Sequence, residues 1–229
     1  MQILIVGALQ KEIDGLLADL EDREEIRAGA FLLHRGKYLH HTVYLCRCGV
    51  GKVYSAAATA AALTVYPQIE CVINIGVSGG IGGSKRGTII VSDKTVHHDY
   101  DATADGARLG QLEGFESEFL PCDTSLVARM EEALKTERLA YRIGTIASGD
   151  QFIASKAKGE WIHTTFGAIA CDFESAPINQ VCLVYGVPFI AVRAISDNGD
   201  EAAVESFYTF LERVAENGTR AVERFLQLS

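Results

Sequence analysis

Near-continuous apolar runs constrain the fold of this chain most strongly. They span Gln2 to Ala8, Cys71 to Gly76 and Phe189 to Val192. An apolar run without alternation is typical of a strand buried on both faces, as in sheets covered by helices on each side. Segments with helical spacing of apolar residues lie between the runs, among them Gln10 to Leu20 and Lys52 to Tyr66. The pattern predicts an α/β fold.

The bulk composition is typical of one compact domain, and we expect residues 1–229 to form it. The chain is 48% apolar and 22% charged, and no linker-like stretch interrupts it. A formal net charge of −9 with scattered Lys and Arg argues against binding to nucleic acid or anionic lipid, since both need a clustered basic surface. Met1 to Leu9 lacks the positive residues of a signal peptide, and no run reaches the roughly 18 apolar residues that span a bilayer.

The six cysteines indicate a reduced, cytoplasmic protein. Most of them lie inside apolar runs, which is typical of small core residues. Cys46-Arg-Cys48 lacks the spacer common in zinc sites. His97 and His98 are neighbours on a predicted strand, so their side chains point to opposite faces and cannot easily share one ion. We therefore expect no metal.

Other stretches predict the remaining elements and connections. Residues 31–35 and 42–48 are predicted strands around a turn at Gly36-Lys37. The glycine-rich stretch 77–83 is predicted to be a loop, and the weakly periodic stretch 102–120 a long functional loop. Residues 201–228 carry the pattern of one long helix that closes the chain.

Polar residues near predicted strand ends are the candidates for chemistry. Glu12, Val77 to Gly83, Ser148 to Ile153 and Arg193 to Asp197 each follow or end an apolar strand. Ligands of open α/β sheets bind beyond the carboxyl ends of the strands, so these segments are predicted to meet at one pocket. Structural alternatives stay open from the residues alone. Arg193 and Asp197 can form an ion pair over a strand end, and Glu12 can serve only the dipole of its helix.

The segment Gly76 to Gly80 matches the G-x-S-x-G pattern of serine hydrolases. A nucleophile elbow turns at once into a helix, which the glycines at 79, 80, 82 and 83 disfavour. No histidine follows residue 163 to act as the base. The pattern therefore disfavours a nucleophile, and the glycines fit either close approach of the backbone to a ligand or a flexible turn.

Motifs in a fixed order extend over essentially the whole chain and resemble 5′-methylthioadenosine/S-adenosylhomocysteine nucleosidases, members of the nucleoside phosphorylase superfamily. The resemblance implies a three-layer α/β/α sandwich with a central mixed, twisted sheet, and a homodimer. It also implies that water cleaves the N-glycosidic bond of an adenine nucleoside without a metal or other cofactor. The motifs are Gly7-Ala-Leu-Gln-Lys-Glu12, Asn74-Ile-Gly-Val-Ser-Gly-Gly80, His98-Asp-Tyr-Asp-Ala-Thr103, Gly110-Gln111, Ser148-Gly-Asp-Gln-Phe-Ile153, Asp172-Phe-Glu174 and Val192-Arg-Ala-Ile-Ser-Asp197.

The resemblance also implies roles for individual residues. Glu12 would deprotonate the attacking water, and Asp197 would donate a proton towards N7 of the departing adenine. Both are needed because glycosidic cleavage passes through an oxocarbenium-like sugar, with one group serving the water and another the leaving group. The substrate-binding residues would be Glu174 at the ribose hydroxyls with Phe173 beside it, Phe152 and the Ile153 backbone at adenine, and Gly79 close to the ligand. Arg193 and Ser196 would play supporting roles, Arg193 by orienting Glu174 or Asp197.

Departures from the family pattern bear on the substrate. Val77 stands where the family commonly has Ser near the reacting centre, and Phe173 replaces a usual Met. Asp105 falls where the family often supplies a Phe from the partner subunit to cover the 5′-alkylthio group. The acid suits an apolar methylthio tail poorly. The hypothesis is that the preference shifts towards a polar 5′ substituent, such as the homocysteine tail.

Other functions stay open at this point. A phosphorylase would use phosphate in place of water, although Glu12 would repel that anion. A futalosine-type nucleosidase shares the fold and differs in its nucleoside. A non-catalytic nucleoside-binding protein would keep the pocket, although binding alone would not require both Glu12 and Asp197.

Overall fold

The computed structural model describes residues 1–200 and 202–229, in which strands and helices alternate. The strands are β1 (Gln2–Gly7), β2 (Glu21–Ala28), β3 (Phe31–Tyr38), β4 (His41–Arg47), β5 (Cys71–Gly80), β6 (Ile89–His97), β7 (Leu120–Pro121), β8 (Tyr141–Ser148), β9 (Ala170–Asp172) and β10 (Phe189–Asp197). The helices are α1 (Gln10–Ala18), α2 (Lys52–Val65), α3 (Thr124–Glu137), α4 (Lys156–Phe166), α5 (Ser175–Tyr185) and α6 (Ala203–Gln227), with a 3₁₀ helix at Thr103–Asp105.

One mixed sheet joins these strands. Strand β1 pairs in parallel with β4 and β5, and β5 pairs in parallel with β10. The order continues from β10 through β6, β8 and β9, and β9 pairs antiparallel with β5. Because β10 also pairs with β5, the strands β5, β10, β6, β8 and β9 form a closed ring. The α/β class with a central mixed sheet is thereby confirmed, and the closure brings the ends of distant strands together.

The apolar runs of the sequence form the middle of this sheet. In β1 every residue from Ile3 to Gly7 is buried, and every residue of β10 is buried. The helices pack in two groups, α2 with α5, and α6 with α1 and α3. Strands covered in this way exclude water along their whole length, which explains why their sequences do not alternate between polar and apolar residues.

The region of the β2–β3 hairpin differs from the sequence prediction. Strand β2 has no counterpart among the predicted elements, and β3 runs on to Tyr38. The predicted turn at Gly36-Lys37 is wrong, because both residues lie inside β3 and pair with β4. A Cβ at Gly36 would lie 2.9 Å from the carbonyl oxygen of Glu21. This glycine therefore allows the neighbouring strand to approach and does not make a turn.

Other boundaries also shift. Strand β5 extends to Gly80, so the predicted loop at 77–83 begins only after the strand ends. Most of the stretch 102–120 is irregular, as predicted, apart from the short 3₁₀ helix and the start of β7. The final helix α6 begins at Ala203, and residue 201, where the sequence placed its start, lies outside the described residues.

The cysteines behave as core residues. All six are buried, and within the described chain none is in a disulfide. Burial raises the pKa of the Cys46, Cys71 and Cys122 thiols to about 12, which leaves them protonated and unreactive near neutral pH. Among the residues that the structure describes, no helix is both long enough and apolar enough to cross a membrane.

Candidate active site

A cavity of about 600 Å³ lies where β1, β5, β9 and β10 lead into their following loops. This volume falls in the range of small-molecule sites, about 300 to 1,000 Å³. Helix α6 contributes an apolar wall with Val204, Phe207, Tyr208 and Leu211. Of the residues that the resemblance implies for catalysis, binding or support, all but Arg193 line this cavity, namely Glu12, Gly79, Phe152, Ile153, Phe173, Glu174, Ser196 and Asp197.

Glu12 lies in the first turn of α1, where backbone N–H groups hold its carboxylate. Ala8 and Leu9 each donate an N–H to Oε2 at 2.8 Å, and Val77 donates its N–H to Oε1 at 3.0 Å. Glu12 therefore caps its own helix, as the structural alternative proposed, and it also lines the cavity. Burial raises the pKa of Glu12, while Arg193 and these N–H groups act to lower it. A raised pKa makes the carboxylate a stronger base.

The backbone at position 76 leaves no room for a side chain. A Cβ on Gly76 would lie 2.1 Å from Nη1 of Arg193 and 2.6 Å from Oε1 of Glu12. The glycine thus allows the Glu12 carboxylate and the Arg193 guanidinium to approach the same backbone segment. Gly76 to Gly80 continue as a strand and do not turn into a helix, so the segment is not a nucleophile elbow.

Arg193 is fully buried beneath the cavity floor and holds two carboxylates. Its Nε donates to Oδ2 of Asp172 at 2.7 Å, and its Nη2 donates to Oε2 of Glu174 at 2.5 Å. Its Nη1 donates to the carbonyl oxygen of Ile75 at 3.2 Å. Of the two partners considered from the sequence, Arg193 therefore contacts Glu174, whereas Asp197 is held by other groups.

Asp172 is a buried residue of the site that was not selected from the sequence. Besides Arg193, its carboxylate accepts a hydrogen bond from the Ser148 hydroxyl at 2.5 Å and another from the Ser175 hydroxyl. The backbone N–H groups of Glu174 and Ser175 point to its Oδ1 at 3.3 and 3.2 Å. Asp172 thus connects the ends of β8 and β9, the start of α5, and β10. These donors fix the Asp172 carboxylate in one position.

Glu174 lies between Arg193 and the cavity. The N–H of Gly51 donates to its Oε1 at 3.2 Å, while Arg193 occupies Oε2. Burial raises the pKa of Glu174, Arg193 acts to lower it, and the nearby Asp172 raises it further. The Arg193 guanidinium at 2.5 Å thus favours the ionised form of Glu174, against the effect of burial.

Asp197 ends β10 on the other side of the cavity. Its Oδ1 accepts the N–H of Gly199 at 2.9 Å, and its Oδ2 accepts the Ser196 hydroxyl at 2.8 Å. Burial raises the pKa of Asp197, and these two donors act to lower it. A Cβ on Gly79 would lie 3.2 Å from Oδ1 of Asp197, so the glycine at position 79 keeps the approach to this carboxyl open.

Aromatic rings form the opposite end of the cavity. The ring of Phe152 lies 5.9 Å from that of Phe207 in an edge-to-face arrangement and 6.5 Å from that of Phe173. Phe152 remains 43% exposed, so its face is available to a planar ligand. The wall contributed by α6 was missed from the sequence, because an amphipathic helix gives no signal of which apolar residues face a ligand.

The remaining sequence candidates lie outside the cavity. Asp105 is exposed at the end of the 3₁₀ helix and does not line the cavity of this chain. His97 and His98 are both buried, and burial lowers the pKa of His97 to about 4. Within the described residues, no group of three or more His, Cys, Asp or Glu side chains is arranged to hold a metal ion.

Comparison with known proteins supports the fold and shows the family. The sequence model of the phosphorylase superfamily matches residues 2–227, so the match covers nearly the whole chain. A 5′-methylthioadenosine/S-adenosylhomocysteine nucleosidase of Haemophilus influenzae (strain PittGG) is 38% identical over 224 residues, covering 97% of this chain and 97% of that protein. The chain belongs to the family of 5′-methylthioadenosine/S-adenosylhomocysteine nucleosidases, within the phosphorylase superfamily.

Solved structures show the same likeness. The 5′-methylthioadenosine/S-adenosylhomocysteine nucleosidase of Neisseria meningitidis, in complex with methylthio-immucillin-A, has a TM-score of 0.95 and 33% identity, covering 99% of this chain and 98% of that chain. A futalosine hydrolase mutant of Helicobacter pylori strain 26695 has a TM-score of 0.94 and 31% identity, covering 99% of both chains. The fold is therefore shared by enzymes that are named for different nucleosides.

Proposed function

We propose that the chain hydrolyses the N-glycosidic bond of 5′-substituted adenine nucleosides, S-adenosylhomocysteine and 5′-methylthioadenosine, and releases adenine. The observation that carries the proposal is the placement of Glu12 and Asp197, two buried carboxyl groups with raised pKa values, on the walls of one cavity. Membership of the nucleosidase family supplies the substrate class. The reaction needs a base for water and an acid for the leaving group, and the cavity offers one carboxyl group for each task.

Glu12 acts on the water. Its oxygens accept N–H groups from Ala8, Leu9 and Val77, which fix the carboxylate in place, and Oε1, which accepts only the Val77 N–H, has a further lone pair. The water oxygen bonds to C1′ of the ribose while its proton passes to Glu12. Glu12 must therefore be ionised when the substrate binds, and the neighbouring Arg193 favours that state.

Asp197 acts on the base. The C1′–N9 bond breaks as the proton of Asp197 passes to N7, so adenine leaves as a neutral molecule. Burial raises the pKa of Asp197 and thus favours the protonated acid before the reaction. The N–H of Gly199 and the hydroxyl of Ser196 then stabilise the carboxylate that remains. This gives Ser196 its supporting role.

The other candidates bind the substrate. Glu174 accepts hydrogen bonds from the 2′ and 3′ hydroxyls of the ribose, and Arg193 orients it by holding Oε2. Phe152 stacks on adenine, and the Ile153 backbone pairs with the edge of the base. Phe173 packs beside the sugar, and Gly79 allows close approach of the backbone to the ligand. No metal or other cofactor takes part in this scheme.

The preference for one 5′ substituent over another is a separate part of the proposal. We infer that Asp105, supplied by a partner subunit, shifts the preference towards a polar tail such as that of S-adenosylhomocysteine. Comparing kcat/KM for S-adenosylhomocysteine and 5′-methylthioadenosine tests this inference, and a strong preference for the methylthio compound contradicts it. The likeness to the Helicobacter pylori futalosine hydrolase supports a second candidate, a nucleosidase of another 5′-modified nucleoside.

An assay of free adenine tests the proposal. The protein is incubated with 5′-methylthioadenosine, S-adenosylhomocysteine and futalosine, with and without phosphate, and the released base is measured. Release of adenine without phosphate supports the nucleosidase. Release only from futalosine supports the second candidate, strict phosphate dependence indicates a phosphorylase, and no turnover indicates a binding protein.

Site variants test the assigned roles. Glu12→Gln and Asp197→Asn should each lower kcat by about 10² to 10⁴-fold, the usual contribution of general acid or base catalysis. Asp14→Asn is the matched control, because Asp14 is an exposed carboxylate of the same helix as Glu12. Near-wild-type activity in either site variant contradicts the assignment.

We also propose a homodimer in the cytoplasm, built from one domain per chain. The dimer rests on the family resemblance and is tested by sedimentation of the purified protein. The compartment is supported by the buried, unpaired cysteines, which are typical of proteins in reducing surroundings. A single domain is supported by the one sheet that joins strands from both ends of the chain, and one cooperative unfolding transition is expected.

A further inference from the structure

Asp99 lies just after β6, outside the cavity, and its carboxylate connects two other loops. Nζ of Lys52, at the start of α2, donates to Oδ1 of Asp99 at 2.7 Å. The backbone N–H of Asp150, after β8, donates to Oδ2 of Asp99 at 2.8 Å. The side chains of Lys52 and Asp99 are only 23% and 16% exposed, so water competes weakly for this ion pair.

The same two loops are also connected directly. The backbone N–H of Lys52 donates to Oδ1 of Asp150 at 2.9 Å. Lys52, Asp99 and Asp150 therefore close a ring of hydrogen bonds in which each member contacts the other two. We call these three residues the Asp99 clamp.

Each loop held by the clamp carries one part of the cavity. Gly51, directly before Lys52, donates its N–H to Oε1 of Glu174 at 3.2 Å. With φ at 105°, Gly51 has a backbone conformation that favours glycine. Phe152 and Ile153 closely follow Asp150 in the other loop and line the cavity. The clamp thus connects the loop whose Gly51 N–H binds Glu174 with the loop whose Phe152 and Ile153 are assigned to adenine.

We propose that Asp99 is a positioning residue, which fixes the loop of Gly51 and the loop of Phe152 at the spacing that one nucleoside requires. The inference rests on the proposed function, because it assigns ribose to Glu174 and adenine to Phe152 and Ile153. Asp99 contacts neither part of the substrate. It acts through the Lys52 ammonium on one side and the Asp150 amide on the other.

Charge explains why an aspartate is needed at position 99. One carboxylate accepts an ammonium and an amide N–H at the same time, on its two separate oxygens. An asparagine offers one oxygen only, so its NH₂ group would face either Nζ of Lys52 or the N–H of Asp150. Asp99→Asn keeps the size of the side chain and breaks one side of the clamp.

Asp99→Asn is tested beside a matched control. Asp22 pairs with Lys37 at 2.7 Å, the same distance as in the clamp, but the two side chains are 72% and 61% exposed on the β2–β3 hairpin. Asp22→Asn therefore makes the same chemical change away from the cavity. Three quantities are measured for both variants: kcat and KM for 5′-methylthioadenosine, the dissociation constant of adenine by calorimetry, and the melting temperature.

For Asp99→Asn we expect KM to rise and adenine binding to weaken, each by about tenfold, as is usual when binding groups lose their alignment. The value of kcat should stay within about threefold, because the contacts of Glu12 and Asp197 do not involve the clamp. Asp22→Asn should leave all the measured quantities unchanged. A lower melting temperature and lower kcat with unchanged KM and unchanged adenine binding would show a merely structural role and overturn the inference, as would no change at all.

Lys52→Met provides a second variant that leaves the Asp99 to Asp150 hydrogen bond in place. It should change KM in the same direction by a smaller factor, and the double variant with Asp99→Asn should be no worse than Asp99→Asn alone. Additive effects of the two substitutions would contradict the clamp. If the wild type hydrolyses no nucleoside but Asp99→Asn still weakens adenine binding, the proposed function fails and the clamp stands.

Discussion

Two regions of the molecule contain ion pairs of similar geometry in opposite surroundings. Beneath the cavity, Arg193 contacts Asp172 at 2.7 Å and Glu174 at 2.5 Å, and these three side chains are at most 5% exposed. On the β2–β3 hairpin, Lys37 contacts Asp22 at 2.7 Å, with both side chains more than half exposed. The distances alone do not distinguish the two regions.

Burial makes the difference. Exposed pairs are screened by water and contribute little, whereas buried charges have lost their hydration and depend on each other. A fold has no need of a buried charge cluster for stability, since apolar residues of similar size commonly serve as well. The cluster lies directly under the cavity, which is where a reaction needs charges that are fixed and only weakly solvated. The comparison therefore separates a buried ion-pair cluster next to the cavity from an exposed ion pair on the surface.

The largest effect is expected when Arg193 is removed. Arg193→Met leaves the buried carboxylates of Asp172 and Glu174 without their cation, and Glu12 loses a nearby positive charge. Breaking a buried pair in this way typically costs about 3 to 5 kcal/mol of unfolding free energy. Urea unfolding measures it, with Arg193→Lys as the variant that keeps the charge but not the planar geometry. A loss of unfolding free energy below about 1 kcal/mol would mean that the buried carboxylates of Asp172 and Glu174 do not depend on the charge of Arg193.

The next effect concerns the pH dependence of stability. Burial raises the pKa of Glu12 above its ordinary value of 4.5, so the folded state binds this proton more tightly than the unfolded state does. The stabilisation that comes from binding this proton is present at pH values below the pKa of Glu12 in the unfolded state. It is lost as the pH rises through the pKa of Glu12 in the folded state. We expect the wild type to lose its advantage over Glu12→Gln as the pH rises through the interval above 4.5.

Urea unfolding of both proteins at several pH values in that interval measures this difference. The slope is the diagnostic quantity, because Gln also disturbs the N–H groups that Glu12 accepts. A difference that stays constant or grows with pH would show that burial does not raise the pKa of Glu12 in the folded protein.

A smaller effect is expected at Val77, an apolar residue beside the Glu12 carboxylate. Its backbone N–H bonds to Glu12, but its side chain offers no polar contact to the cavity that it lines. Val77→Ser adds a hydroxyl, and a net hydrogen bond of about 0.5 to 1.5 kcal/mol corresponds to a rise in kcat of up to roughly tenfold. Val53→Ser makes the same change at a residue of α2 that is 78% exposed. Unchanged or lower kcat in Val77→Ser would contradict the expectation.

The two regions also differ in how far the sequence could predict them. Glu12 and Asp197 were found because each carboxyl group follows or ends an apolar run and lies in a motif of a known family. Glu174 was found through the family motif alone. The sequence did not show that Asp172 connects several elements of the site, because its partners, Ser148 and Arg193 among them, are remote in sequence. Only the closed ring of strands places them around one carboxylate.

The hairpin was missed for the opposite reason. Strand β2 has the sequence EDREEIRA, and all its residues except Ile26 and Ala28 are exposed, so its polar first half gives no alternation that marks it as a strand. Its pairing with β3 comes from backbone hydrogen bonds and from opposite charges across the strands. Gly36 gave a false turn signal, because close approach of β2 requires glycine there.

The smallest effect is expected on this hairpin and completes the comparison. Lys37→Met removes the cation from an ion pair as short as the one between Arg193 and Asp172. The hairpin pair lies in water, however, so each charge is rehydrated when its partner is lost, and many such pairs contribute nothing measurable. Urea unfolding of Lys37→Met should therefore match the wild type within error, at low and at high salt. A loss comparable to that of Arg193→Met would show that pair geometry rather than burial decides the strength, and the distinction between the two regions would fail.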